Sequence, residues 1–486
     1  MKLIPETVED LKSTNTLYKQ FEPLWLEYKH CFDGYKTLAE NAYFPQHSRE
    51  SVDSYEYRLK MGYGPNYSEA IINIFDYYLR TSQLQRKFGP LADDELWQLF
   101  QENVDYYGTD YNIFLEDVRK KASIYGHMGI LVDSPNNGAL TRDEALKNEV
   151  YPYYSAYSPL DILDWEEGKD YYGKPILTAL KLRERDGTYK IWEINQWRHY
   201  GIEKDSEKVF SIDSGDYNID AIPFVFKINL PSDYVRIGTS DLKNISGLDL
   251  SIYRNIMGIE EVIELAAFPM MRKPEKRLQA TQGGQQRSNY DETGASSILE
   301  FDPQFGEAGK PDWLKAEVKA PLDAVMSWIV WKVGEIYRNA TLEDASAETR
   351  QAQSGYALTI KRELLNASLE TRAKNLSEAE KQCAYFWCKW IAKPGLAENI
   401  IINRPKKFSV EELKIDLENA IVSKSIVNSP TFSTSLQKQI SREVLGQNVE
   451  DTTFEEIDKE IDDYVPPTVP IVGDKETEGV PGGVLK

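Results

Sequence analysis

The chain has 486 residues, which at roughly 100–200 residues per domain leaves room for two to four domains and is too long for a small stapled module. Lys and Arg number 57 against 78 Asp and Glu, a formal net charge of −21, so a net basic footprint for gripping nucleic acid or an anionic membrane is excluded. The three cysteines, Cys31, Cys383 and Cys388, support neither a disulfide framework nor a zinc module, and they point to a reducing compartment.

Residues 6–30 open a helical region that continues at 51–61, 66–81, 93–103 and 111–125. Apolar residues recur there at helical spacing, as in Ile71, Ile74, Phe75, Tyr78 and Leu79, so each segment has one face to bury. From His127 the texture changes to β-branched and aromatic runs bounded by turn signals: MGILVD, VYPYYSAYS, then KPILTALKLRERDGTYKIWEINQWRHYGI and IPFVFKIN. Asp186-Gly187 between two such runs predicts a hairpin, because that pair tolerates the positive φ of the primed turns. Residues 127–230 therefore read as a mostly β region.

Beyond Pro231, Leu242, Ile245, Leu248, Ile252, Ile256, Ile259 and Ile263 repeat every three or four positions and predict a long helix to Ala267. A second long helix begins near Pro321, a residue suited to a first turn, and carries Leu322, Val325, Ile329, Val333 and Ile336 on one face. Between them, 268–320 reads as a compact α/β excursion with a basic opening, a Gly- and Gln-rich loop, and short strands at SSILEF and WLKAEV. The stretch NATLEDASAETRQAQSG predicts a loop. Residues 354–391 then carry a nearly unbroken helical pattern that stops at Pro394-Gly395 and, at 1.5 Å per residue, reaches roughly 55 Å. IIINRPKKFSVEEL reads as a strand and a helix start, and 430–464 as short helices, the last with eight acidic residues to one Lys. The Pro- and Gly-rich tail reads as disordered.

Chemistry-bearing motifs are sparse. Gly306 to Pro311 has the wrong spacing for a phosphate cradle, and Pro stands where Ser or Thr would bind magnesium. There is no HExxH and no GxSxG, and His30, His47, His127 and His199 are isolated in sequence, which favours structural histidines. Asp161, Asp164, Glu166 and Glu167 beside Trp165 could serve glycoside chemistry, although a strand end running into a polar turn explains the same residues. Met270-Met271 and Trp328/Trp331 read as core or subunit packing rather than ligand boxes. No apolar signal core opens the chain, and with a mean hydropathy of −0.52 no stretch reaches the roughly 18 apolar residues of a membrane span, so the expectation is a soluble protein. Aromatics at 12%, including 30 Tyr and 10 Trp, predict large packed or subunit-facing surfaces.

The order of parts resembles the portal protein of tailed double-stranded DNA bacteriophages, in the branch with a shortened β-rich wing. The stretch beginning YFP at Tyr43 is similar to the family's "YLP" element, YGHMGILVD to its first wing strand, YPYYSAYSPLDILDW to the strand and turn after it, and ETRQAQSGYALTIKRELLNASLE to the Ser-Gly-x-Ala-Leu lead-in of its long helix. The resemblance covers roughly residues 40–460 and rests more on element order than on any one motif.

The resemblance implies an α+β, mainly helical fold. Residues 1–126 would be the helical N-terminal part of the wing, 127–238 its β-rich part, 239–267 the first stem helix, 268–320 a small α/β clip and 321–338 the second stem helix. A tunnel loop would follow at 339–353, the long wing helix at 354–393, a return strand and helix at 394–429, a helical crown at 430–464 and a tail at 465–486. It further implies a homo-oligomeric ring of twelve subunits at one capsid vertex of the virion, assembled in the host cytoplasm. Double-stranded DNA would pass through its channel during packaging and ejection. Partners would be the large terminase ATPase, a head-completion or adaptor protein and the major capsid protein. No cofactor and no catalytic activity of its own are expected. Glu343, Asp344 and Glu348 on the tunnel loop would repel phosphate and Arg350 would touch it, while Arg272, Lys273, Lys276 and Arg277 at the clip would meet partners or the entering duplex. The alternatives are an aromatic-rich carbohydrate-active enzyme using the Asp161–Glu167 cluster, and a capsid or tail scaffold protein without a channel.

Overall fold

A computed structural model describes residues 3–48, 50–81, 84–135, 141–203, 208–267, 271–274, 298–301, 312–313, 319–342 and 355–404, five positions between 434 and 441, and 451–463. The chain divides into a unit of residues 1–408 and a unit of 409–486. With 53% helix and 19% strand it is α+β and mainly helical, and no described helix is long and apolar enough to cross a membrane.

The first unit opens with α1 (Val8–Lys12), α2 (Thr16–Asp33), α3 (Tyr35–Glu40), α4 (Val52–Met61) and α5 (Tyr67–Thr81), then β1 (Gln85–Lys87), α6 (Glu95–Glu102) and α7 (Tyr111–Tyr125). Short polar side chains start these helices by accepting otherwise orphaned amides: Asn15 from Leu17 at 2.9 Å, Asp94 from Leu96 at 3.1 Å and Asp110 from Asn112 at 2.7 Å. The predicted helical segments are all present.

Two sheets follow. Strands β2 (His127–Asp133), β3 (Tyr153–Tyr157) and β9 (Phe224–Ile228) form an antiparallel sheet in the order β3-β2-β9. Strands β4 (Ile162–Lys169), β5 (Pro175–Arg183), β6 (Tyr189–Glu193), β7 (Gln196–Ile202) and β8 (Val209–Asp216) form a five-stranded antiparallel meander. The Asp186-Gly187 hairpin joins β5 to β6, but only Gly187 takes a positive φ, at 83°. Gly187 N–H donates to Glu184 O at 3.0 Å and Glu184 N–H to Thr188 O at 2.8 Å, so the loop is a type I turn closed by a left-handed glycine rather than a two-residue primed turn. A short helix α8 (Arg142–Lys147) interrupts the β region, started by a capping box between Thr141 and Glu144.

The remaining elements are α9 (Ser246–Ala267), β10 (Met271–Pro274), β11 (Ile298–Phe301), β12 (Asp312–Trp313), α10 (Lys319–Asn339), α11 (Gly355–Trp390) and β13 (Ile401–Asn403), which pairs antiparallel with β1. Apolar periodicity begins at Leu242, but α9 itself starts at Ser246. Leu242 and Ile245 are buried within a turn fixed by Ser240, whose hydroxyl accepts from Leu242 N–H, so the spacing runs on through non-helical backbone. The 36-residue α11 is about 54 Å long at 1.5 Å per residue. It crosses both β9 and β2. Trp387 Nε1 donates to Pro152 O at 2.8 Å, Trp390 Nε1 to Val132 O at 2.7 Å and Asn375 Nδ2 to Asn229 O at 2.9 Å.

Much of the aromatic excess is core. Trp97 and Trp387 meet edge to face at 4.9 Å, and Phe100 and Tyr154 at 4.7 Å, in one cluster with Tyr111. Cys31, Cys383 and Cys388 are buried and free. In the second unit, α12 (Asp451–Asp463) is tied by Lys438 to Asp462 at 2.6 Å. The rest of the expected crown, the helix expected after β13 and the tail lie outside the described residues.

Candidate functional site

Helices α9 and α10 form an antiparallel pair: Lys332 late in α10 donates to Ser251 early in α9 at 2.7 Å, with Val333 and Ile336 buried beside it. At 1.5 Å per residue, their 22 and 21 residues give about 33 and 32 Å. The outer face of α10 presents Met326, Trp328, Val330 and Trp331 to solvent, and the two indoles stack at 4.6 Å and 11°. The far end of the pair leads into a three-stranded sheet in the order β11-β10-β12, with β10–β11 parallel and β10–β12 antiparallel.

Arg272 and Lys273 lie on β10, where register places Arg272 opposite Asp312 and Lys273 opposite Glu300. Lys276, Arg277 and the tunnel-loop residues Glu343, Asp344, Glu348 and Arg350 lie outside the described residues, as does the Gly306–Pro311 stretch.

The near end of the helix pair is rooted in the N-terminal helices by contacts that no local sequence pattern announces. A second apolar cluster joins Cys31, Leu38 and Phe44 to Leu250, Tyr253 and Met257 of α9, and the Tyr43-Phe44 element thereby becomes a cradle for the helix. Tyr35 stacks on Phe44 at 5.3 Å, and Arg254 donates to Tyr43 O at 3.0 Å. Asp249 of α9 accepts from the backbone N–H of Ser68, at 2.9 Å, and from its hydroxyl, at the start of α5. Burial raises its carboxyl to about 6.

Just before α9, Asp241 receives the buried Arg372 of α11, with Nη2 at 2.6 Å and Nε at 3.2 Å from Oδ1, and also accepts from Asn229 at 3.0 Å. The Arg372 guanidinium lies over Phe75 at 4.7 Å. Gly126 and Gly238 close the same corner: a Cβ on Gly126 would lie 2.3 Å from the Gly238 carbonyl oxygen, and one on Gly238 would lie 2.0 Å from that of Gly126. Glycine is required there by backbone approach.

Three of the carboxylates near Trp165 are engaged by separate partners. Asp161 accepts from Nε and Nη2 of Arg183 on Oδ1, at 3.1 and 3.0 Å, and from the Ser158 hydroxyl on Oδ2 at 2.6 Å, Asp164 accepts from Asn15 at 3.3 Å, and Glu167 takes Arg236 at 2.5 Å. Each of these three is absorbed by its own structural partner. Three of the four histidines are likewise built in, while His47 is exposed. Burial lowers His127, which meets Trp25 edge-on, to about 3; His199 Nε2 is bonded to Thr188 and His30 Nδ1 to Tyr43. Among the described residues no group of three His, Cys, Asp or Glu side chains gathers as a metal site.

No family model matches the sequence, and no curated protein matches it. Among solved structures, the chain is similar to one in the virion of a native gene transfer agent particle, at 11% identity and TM-score 0.38, covering 83% of this chain and 98% of that one. It is also similar to a chain in the neck of the native particle computed with C12 symmetry, at 10% identity and TM-score 0.37, covering 76% and 89%. A third likeness is to a chain in the neck of the empty particle computed with C6 symmetry, at 10% identity and TM-score 0.39, covering 82% and 98%.

Proposed function

We propose that the chain is a portal subunit. Copies of it would close into a ring at one capsid vertex, a channel for packaging and ejecting double-stranded DNA and a platform for the terminase and head-completion proteins. The observation that carries this reading is the antiparallel α9–α10 pair. It reaches about 33 Å from a wing root to a small sheet, and α11 then returns across the wing to lock the same root through Arg372 and Asp241. A two-helix stem with a buried base and an exposed apolar outer face suits repeated head-to-tail packing, which needs two different surfaces per subunit.

The net charge of −21 fits a channel that must not hold its cargo, since a wall of like charge to DNA gives little of the counterion release that drives binding. On this reading the Glu343–Arg350 loop approaches the duplex, and Arg272, Lys273, Lys276 and Arg277 steer acidic partners or the entering duplex at the outer mouth. ATP hydrolysis belongs to the terminase. Replacing those four basic residues by Ala should leave rings intact and lower the DNA content of particles assembled with them. Particles that fill normally with the variant would remove the clip assignment, and particles that fill normally without the chain would remove the portal reading itself.

A further inference from the structure

Where α5, α7 and β1 meet the segment after β13, beneath α11, a cleft gathers four guanidinium groups: Arg80, Arg86, Arg119 and Arg404. Asp76 pairs with both Arg119, at 2.7 Å, and Arg80, at 3.0 Å. Glu380 pairs with both Arg86, at 2.5 Å, and Arg404, at 2.9 Å. Glu116 at the rim reaches Arg80 at 3.7 Å. Among the described residues, four cations against three carboxylates leave an excess of one positive charge, and Arg119 and Arg404 are nearly fully buried, with side chains 5% and 8% exposed.

Arg404 Nε is buried with no hydrogen-bond partner among the described residues. Burial pulls the Arg404 guanidinium below its ordinary range, while the Glu380 carboxylate draws it back up. Buried positive charge in excess is costly, and planar guanidinium forks match oxyanions bidentately.

We propose that this cleft binds one small tetrahedral oxyanion of the phosphate class per chain, held by Arg404 and Arg119 at the floor and Arg80 at the rim. The bound anion would cross-link α5, α7 and the segment after β13 beneath α11 and so stiffen this part of the fold. The inference stands apart from the portal reading.

The test is thermal unfolding of the full chain in sodium phosphate, and separately in sodium sulfate, against sodium chloride at matched ionic strength and pH, with equilibrium dialysis of radiolabelled phosphate on the same protein. Binding to the folded state raises Tm with anion concentration as ln(1 + [L]/Kd). One phosphate should bind per chain. Arg80→Gln, whose side chain is 60% exposed and whose loss leaves the core intact, should weaken it about tenfold, and Arg404→Gln should weaken it further. Should Arg404→Gln fail to fold, Arg80→Gln alone decides. A Tm equal in phosphate and chloride, no bound phosphate in dialysis, or an undiminished effect in Arg80→Gln, as a general salt effect or a scattered surface anion would give, overturns the proposal.

Discussion

Arg372 ties α11 to the turn just before α9 through one carboxylate. The Arg372–Asp241 pair has side chains 4% and 0% exposed, so removing one partner strands the other's charge in a dry site, at a cost of about 3–5 kcal/mol. Arg372→Ala and Asp241→Ala should each lower stability by that amount. The double variant should lose clearly less than the sum of the two, and additive losses in urea unfolding would show that the pair is not coupled. Asp249 makes a separate, pH-dependent contribution. Its folded value of about 6 exceeds the roughly 3.9 of an unfolded aspartate, so the folded chain binds that proton more tightly. Its contribution is therefore most favourable below about pH 4 and is lost as pH rises through 6. Asp249→Asn keeps an acceptor for Ser68 and removes the titration. The variant should gain stability relative to the parent as pH goes from 4 to 7, and a stability difference constant over that range would contradict this assignment.

At the scale of elements, α10 makes the sharpest prediction. Trp328 and Trp331 are stacked and about half exposed on its outer face, so Trp328→Ser with Trp331→Ser should change the stability of the single chain by no more than about 1 kcal/mol. The same change should abolish assembly if that face packs against a neighbouring copy; light scattering that finds the parent's mass would assign the tryptophans another role. The helices were legible because their apolar residues keep a 3.6-residue period and their starts carry Asn15, Asp94 and Asp110 as caps. The β region was legible from its alternating runs, yet α8 was missed although Thr141 and Glu144 carry the capping-box signal. The exact start of α9 was hidden because Leu242 and Ile245 keep helical spacing while folded into a turn. What the sequence could not show is which distant side chains meet. Arg372 with Asp241, Asp249 with Ser68, and the four arginines of the cleft are brought together by tertiary packing alone. Much of the aromatic content, expected on packed or subunit-facing surfaces, packs inside the wing around Trp97 and Trp387, which leaves Trp328 and Trp331 as the notable pair outside.

For the whole molecule the central claim is closure into a ring around a channel. On the proposed portal reading, one subunit would supply the α9–α10 pair as a stem, an apolar outer face on α10 and a net charge of −21 suited to a passage that DNA slides through. The most direct measurement is electron microscopy of the purified full chain, with the mass of the same sample determined by light scattering. The account predicts rings with a central hole wide enough for a DNA duplex, a mass close to twelve copies, and the α9–α10 pairs arranged around the hole. Particles of one or two chains with no hole would contradict it.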